Sequence, residues 1–119
     1  MKEISVSGNT LSVSHAKITF KYPIKKIERI NGKYIVLLKI PSGARLGFEE
    51  CNNVFCYDAN GEKCWRIGSK LPIGIISRAH MPYVAIDILD GELYANDFWG
   101  RRFRVNAENG KLIDFKAVR

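Results

Sequence analysis

At 119 residues, with 46% hydrophobic and 26% charged residues, the chain is one domain with enough apolar surface for a real core, which excludes wholesale disorder. No stretch approaches the roughly 18 apolar residues of a membrane span, and the first residues carry no apolar leader, so the expectation is a soluble protein kept in the cytoplasm. The net charge of +7 lies in the first two-fifths: residues 1–47 hold nine Lys or Arg against Glu3 and Glu28, whereas residues 48–119 hold ten of each sign. Such an asymmetry marks either an anionic partner or the solvated lysines of a half-buried sheet.

In chain order, Ile4 to Val13 alternates apolar and small polar residues about Gly8-Asn9 and predicts a first hairpin. Ile18 to Tyr22 continues in β-prone residues until Pro23 removes a backbone donor. Ile24 to Ile30 and Lys33 to Ile40 flank an Asn31-Gly32 turn, and the return strand is apolar on both faces, which predicts a central strand. Pro41 to Gly47 has the composition of a loop. Asn53 to Ile67 predicts a hairpin turning at Asn60-Gly61. Its register sets Cys56 opposite Trp65 and Tyr57 opposite Cys64, sends Cys56 and Cys64 to opposite faces, and turns Trp65 into the core with its indole N–H on a carbonyl. Gly68 to Pro82 reads as a long loop with room for one helical turn, packing Leu71, Ile73, Ile75 and Ile76 onto the core. Hairpins at Asp90-Gly91 and Asn109-Gly110 close the chain.

These signals repeat. Residues 24–67 and 83–115 form two units of about four strands each, the first longer by an insertion from Pro41 to Glu50. The expected fold is all-β: one domain over 1–119, built of antiparallel meanders as a twisted sheet or β-sandwich, with two propeller-blade-like units and little or no helix.

No catalytic constellation emerges. The spacing Cys51-x4-Cys56-x7-Cys64 fits no common zinc pattern, and His15 and His80 are isolated, so the cysteines read as reduced thiols, with no metal and no cofactor. The expected role is binding rather than catalysis. One candidate patch is Lys25, Lys26 and Arg29 before the Asn31-Gly32 turn, an electropositive rim. Adjacent lysines point to opposite faces of a regular strand, so only a bent or edge segment after Pro23 presents both. The other is Trp99, Arg101, Arg102 and Arg104, a tight corner carrying the residue types that dominate interface anchors. Those arginines beside Phe103 also suit phosphates and bases, which keeps open a small β-barrel binding nucleic acid.

The run from Phe55 through Asp58, Ala59 and Gly61 to Trp65 resembles the strand–turn–strand signature of quinoprotein-type β-propeller blades. The resemblance covers two blades, whereas closure takes about four or more, and no cofactor is carried over from it. A second pattern joins Asn53-Val54-Phe55, Trp65 and Ile67 to Asp90-Gly91, Leu93, Ala95, Trp99-Gly100 and Gly110-Lys111. It resembles small bacterial immunity proteins of contact-dependent inhibition and other polymorphic toxin systems. The resemblance implies a non-catalytic inhibitor that occludes the active site of a cognate toxin, binding an acidic protein surface as a monomer in a 1:1 complex, without a membrane.

Overall fold

Asn31-Gly32 and Asp90-Gly91 carry positive φ angles at both positions, 50° and 75° in the first and 51° and 79° in the second. Those are the conformations that a two-residue hairpin turn matched to strand twist demands. The computed structural model describes residues 4–68 and 81–117. Strands β1 (Ile4–Ser7), β2 (Thr10–Val13) and β3 (Ala16–Thr19) make a three-stranded antiparallel sheet. A second sheet follows in sequence order, β4 (Ile24–Ile30), β5 (Lys33–Leu38), β6 (Val54–Tyr57) and β7 (Lys63–Arg66). A third comprises β8 (Tyr83–Leu89), β9 (Glu92–Asp97), β10 (Arg101–Val105) and β11 (Leu112–Ala117). Among the described residues the fold is therefore all-β, antiparallel and meandering in one compact domain, without barrel closure.

The second sheet lies between the other two. From Tyr34 to Leu38 every residue of β5 is buried, as is all of β6, because alternation sends apolar side chains to both faces. On one face Ile35, Leu37, Val54 and Cys56 pack with Ile86, Leu93, Phe103 and Val105 of the third sheet. On the other, Tyr34, Val36, Leu38, Phe55 and Tyr57 pack with Leu11, Val13 and Phe20. Each such side chain contributes about 1.5–3 kcal/mol of transfer free energy. Asn53, fully buried, ties the second sheet to the third: its Nδ2 donates to Leu38 O and Tyr83 O, and its Oδ1 accepts from Tyr83 N–H, all at 2.9 Å.

Trp65 is a core residue, and its indole N–H donates to Ala107 O at 2.9 Å, as its register predicts. Its ring lies so close to Gly110 that a Cβ there would come within 2.5 Å of it, and Gly110 itself has a φ of 77°.

The Asn60-Gly61 hairpin departs from expectation. Cys56 does pair with Trp65, but Tyr57 pairs with Lys63, leaving Cys64 as the extra residue of a β-bulge. Asp58 is the reason: its Oδ1 accepts the N–H groups of both Asn60 and Glu62 at 2.9 Å, and the loop widens around that carboxylate. A bulge breaks the alternation of faces. The Cys64 thiol consequently meets the Cys56 thiol instead of lying on the opposite face, and burial, with Cys64 next, pushes Cys56 up to about 12. None of the three cysteines forms a disulfide.

Pro41 to Gly47 is a loop, as its composition predicts, and it leads into one helical turn, α1 (Phe48–Cys51). Buried Glu50 holds it. Its Oε1 accepts from Gly47 N–H at 3.0 Å, and its Oε2 accepts from Tyr22 Oη at 2.5 Å and Lys21 Nζ at 3.3 Å. Arg66 braces the turn from β7, donating to Asn52 O at 2.8 Å and Glu49 O at 2.9 Å. Of the loop expected over Gly68 to Pro82, residues 69–80, with Leu71, Ile73, Ile75 and Ile76, lie outside the described residues, as does His80. Among the described residues no helix is long and apolar enough to cross a membrane.

Candidate functional site

β4 and β8 are edge strands of their sheets and lie beside one another. Each starts with a bulge two residues after a proline: Lys25 is the unpaired residue in β4 after Pro23, and Val84 the unpaired residue in β8 after Pro82. The bulge is the bent edge segment that adjacent lysines require, and both turn toward β8. Lys25 Nζ donates to Val84 O at 2.8 Å, and Lys26 Nζ to Ile86 O at 3.1 Å. Lys26 also pairs with Glu28 at 2.9 Å and Asp87 at 3.7 Å, and the Glu28 hydrogen bond above all raises its ammonium beyond the ordinary lysine value. Arg29 does not join them. Its guanidinium sits over the Tyr34 ring, 5.5 Å from the centroid, in a shallow groove shared with Ile4 and Val6 of β1.

At the β9–β10 corner one buried carboxylate organises the turn. Asp97 Oδ1 accepts from Trp99 N–H and Arg101 N–H, each at 3.0 Å, while its Oδ2 accepts from Arg101 Nε at 2.9 Å and Nη2 at 2.6 Å. Arg101 therefore braces the corner from within. Phe98 and Trp99 are left projecting, 61% and 56% exposed, their rings edge to face with centroids 5.7 Å apart. Arg102 lies over Tyr94 at 5.6 Å and reaches Asn96 Oδ1 at 3.4 Å. Arg104 pairs with Asp114 at 2.9 Å and Glu92 at 3.8 Å, and its hydrogen bond holds the Asp114 carboxyl below the usual range. The basic run is thus balanced by acids and polar groups of its own sheet.

Of the two candidate patches only Lys25 reaches a groove, where it is joined by Phe98, the chain neighbour of Trp99. A hollow of about 670 Å³ lies between the start of β4, the β5–α1 connection and the start of β8, and both Lys25 and Phe98 line it. Lys39, Leu46 and Val84 also line it and escaped sequence reasoning. The detectable signal was the repeated spacing Pro23-Ile24-Lys25 and Pro82-Tyr83-Val84, which marks equivalent bends in the two repeats. Glu50 was missed as well. Tyr22 first, then Gly47 N–H, hold its carboxyl down at about 2, and this cluster fastens α1 rather than opening onto a cleft. Among the described residues no three His, Cys, Asp or Glu side chains are placed to hold a metal ion.

No curated protein matches the chain in sequence. A family model does match over residues 1–117, and the chain belongs to that family, described as Domain of unknown function (DUF7957).

Proposed function

We propose that the chain is a non-catalytic protein-binding module whose contact surface centres on Phe98 and Trp99, and that it acts in the cytoplasm as an immunity-type inhibitor covering the active site of a toxin domain. The observation that carries the binding reading is the exposed aromatic pair on a corner locked by Asp97. Exposing two large rings is costly in water, and rings held rigidly lose little entropy when a partner covers them. Trp and Phe in this setting act as interface anchors, and nearby lysines speed encounter with an acidic surface. The toxin as partner follows from the resemblance to immunity proteins. Internal pairing of Arg101 and Arg104 weighs against the nucleic-acid alternative, since those guanidiniums already hold carboxylates.

Co-expression with the product of the neighbouring reading frame tests the proposal. A complex that co-elutes on a sizing column and protects cells from that product is the expected result, with Trp99→Ala weakening it by about tenfold or more. A pair that elutes separately and leaves cells unprotected rejects the inhibitor reading.

A further inference from the structure

The groove beside Phe98 has a chemistry of its own. Its walls include Ile40, Leu46, Val84 and Phe98, and among the described residues its charged lining is Lys25 and Lys39, with no Asp or Glu. Leu46 and Val84 remain partly in water, as Phe98 does, so among the described residues the trough is half open to solvent, a shape that suits a length of extended chain better than an engulfed small molecule. The two lysines differ. Lys25 uses one N–H on Val84 O and keeps two further donors. Lys39 is exposed and meets no acid among the described residues. Four other cations are answered by carboxylates, Lys21 by Glu50, Lys26 by Glu28, Arg101 by Asp97 and Arg104 by Asp114, while Arg29 and Arg102 lie over tyrosine rings. Here an apolar floor and two ammonium groups share one trough with no carboxylate among its described lining residues.

Resting on the protein-binding proposal above, we infer that this groove receives a short acidic segment of the partner in extended form, an apolar side chain seated between Leu46, Val84 and Phe98 and flanking carboxylates on Lys25 and Lys39. Lysine ammoniums are point charges on flexible stems and accept carboxylates from many directions, which fits an extended chain better than a fixed bidentate contact would. The apolar anchor supplies residence and the charges supply sign.

The test uses two capped hexapeptides with the same central Leu-Phe pair, one flanked by Asp and Glu, the other by Lys and Arg. Each is titrated to millimolar concentration into the isotopically labelled full chain while amide and methyl resonances are followed. The acidic peptide is expected to shift the signals of Leu46, Val84 and Phe98, and to bind at least about tenfold more tightly than its basic twin. Lys39→Glu is expected to remove that preference while leaving resonances away from the groove in place, and Leu46→Ser to weaken the acidic peptide without restoring the basic one. Equal binding of the two peptides, or no shift at the groove, overturns the inference. If a protein partner co-elutes as well with Lys39→Glu as with the native chain, the groove assignment fails and the binding proposal stands. If the acidic peptide occupies the groove but the neighbouring product neither co-elutes nor is neutralised, the inhibitor reading fails and the groove stands.

Discussion

Lys25 and Val84 are equivalent residues of the two repeats, each the bulged position two residues after a proline, and they are joined by a hydrogen bond from the Lys25 ammonium to the Val84 carbonyl at 2.8 Å. Side-chain donors from β4 cap carbonyls of β8, at Val84 and again at Ile86, so that the β8 edge is blocked to strand addition there. Lys25→Met keeps the stem and loses one exposed hydrogen bond, so the expected cost is about 0.5 kcal/mol. Lys26→Glu sets a third acid beside Glu28 and Asp87 and is expected to cost roughly 1–2 kcal/mol. Urea unfolding of both variants, with unchanged m, measures the difference.

Asn53 is the next link between the same sheets. Asn53→Ala leaves the Leu38 and Tyr83 carbonyls and the Tyr83 N–H without their buried partner, and a loss of about 3 kcal/mol is expected. Asn53→Asp at neutral pH directs a carboxylate at two carbonyl oxygens and should be no milder. Relative to the native chain it should recover on acidification, when the protonated acid can donate again. Denaturation of the two variants at pH 7 and near pH 4 decides this.

Glu50 titrates in the opposite sense. Its folded carboxyl sits at about 2, below the ordinary value of 4.5. A depressed folded value stabilises the protein fully above 4.5, and that contribution is lost as pH falls through the window from 4.5 to about 2. Thermal unfolding of the native chain should therefore weaken across that window. Glu50→Gln, already less stable at pH 7, should show a flatter decline. Parallel curves for the two proteins would show that the Tyr22 and Gly47 contacts are not the source.

Gly110 and Gly91 separate strain from collision. Both have positive φ, 77° and 79°, but a Cβ at Gly91 meets nothing within 4 Å, whereas at Gly110 it meets the Trp65 ring at 2.5 Å. Gly91→Ala is expected to cost about 1 kcal/mol and Gly110→Ala about 3 kcal/mol. The excess should appear with a changed Trp65 fluorescence in the second variant alone.

Much of this architecture was legible because its causes are local. Asn31-Gly32 and Asp90-Gly91 state their turns outright, alternation assigns faces, and the unbroken apolar run of β5 announces a strand covered on both sides. Bulges are less visible, since one extra residue at Lys25, Cys64 or Val84 leaves composition unchanged while reversing which face follows. Cys64 was misplaced for that reason, because Asp58 and not the Asn-Gly pair shapes its turn. The site suffered more. Lys25, Arg101 and Trp99 stood out by type, but Lys25 meets Phe98 across more than half the chain, and the Glu50–Tyr22 contact spans 28 residues, distances over which spacing carries no information. Asp97 and Arg101, four apart, were close enough to be paired by inspection.

The middle sheet has no face made for water, and this governs how the protein can be made. As the chain leaves the ribosome, β1 to β3 precede β4 to β7 and can cover Tyr34, Val36 and Phe55 at once. Ile35, Leu37 and Val54 must wait for β8 to β10. For that interval the nascent chain carries an uncovered apolar sheet, the kind of surface that chaperones hold and that otherwise aggregates. A chain stopped after residue 68 should therefore be insoluble, and the third sheet acts as the cover that makes the two before it compatible with water.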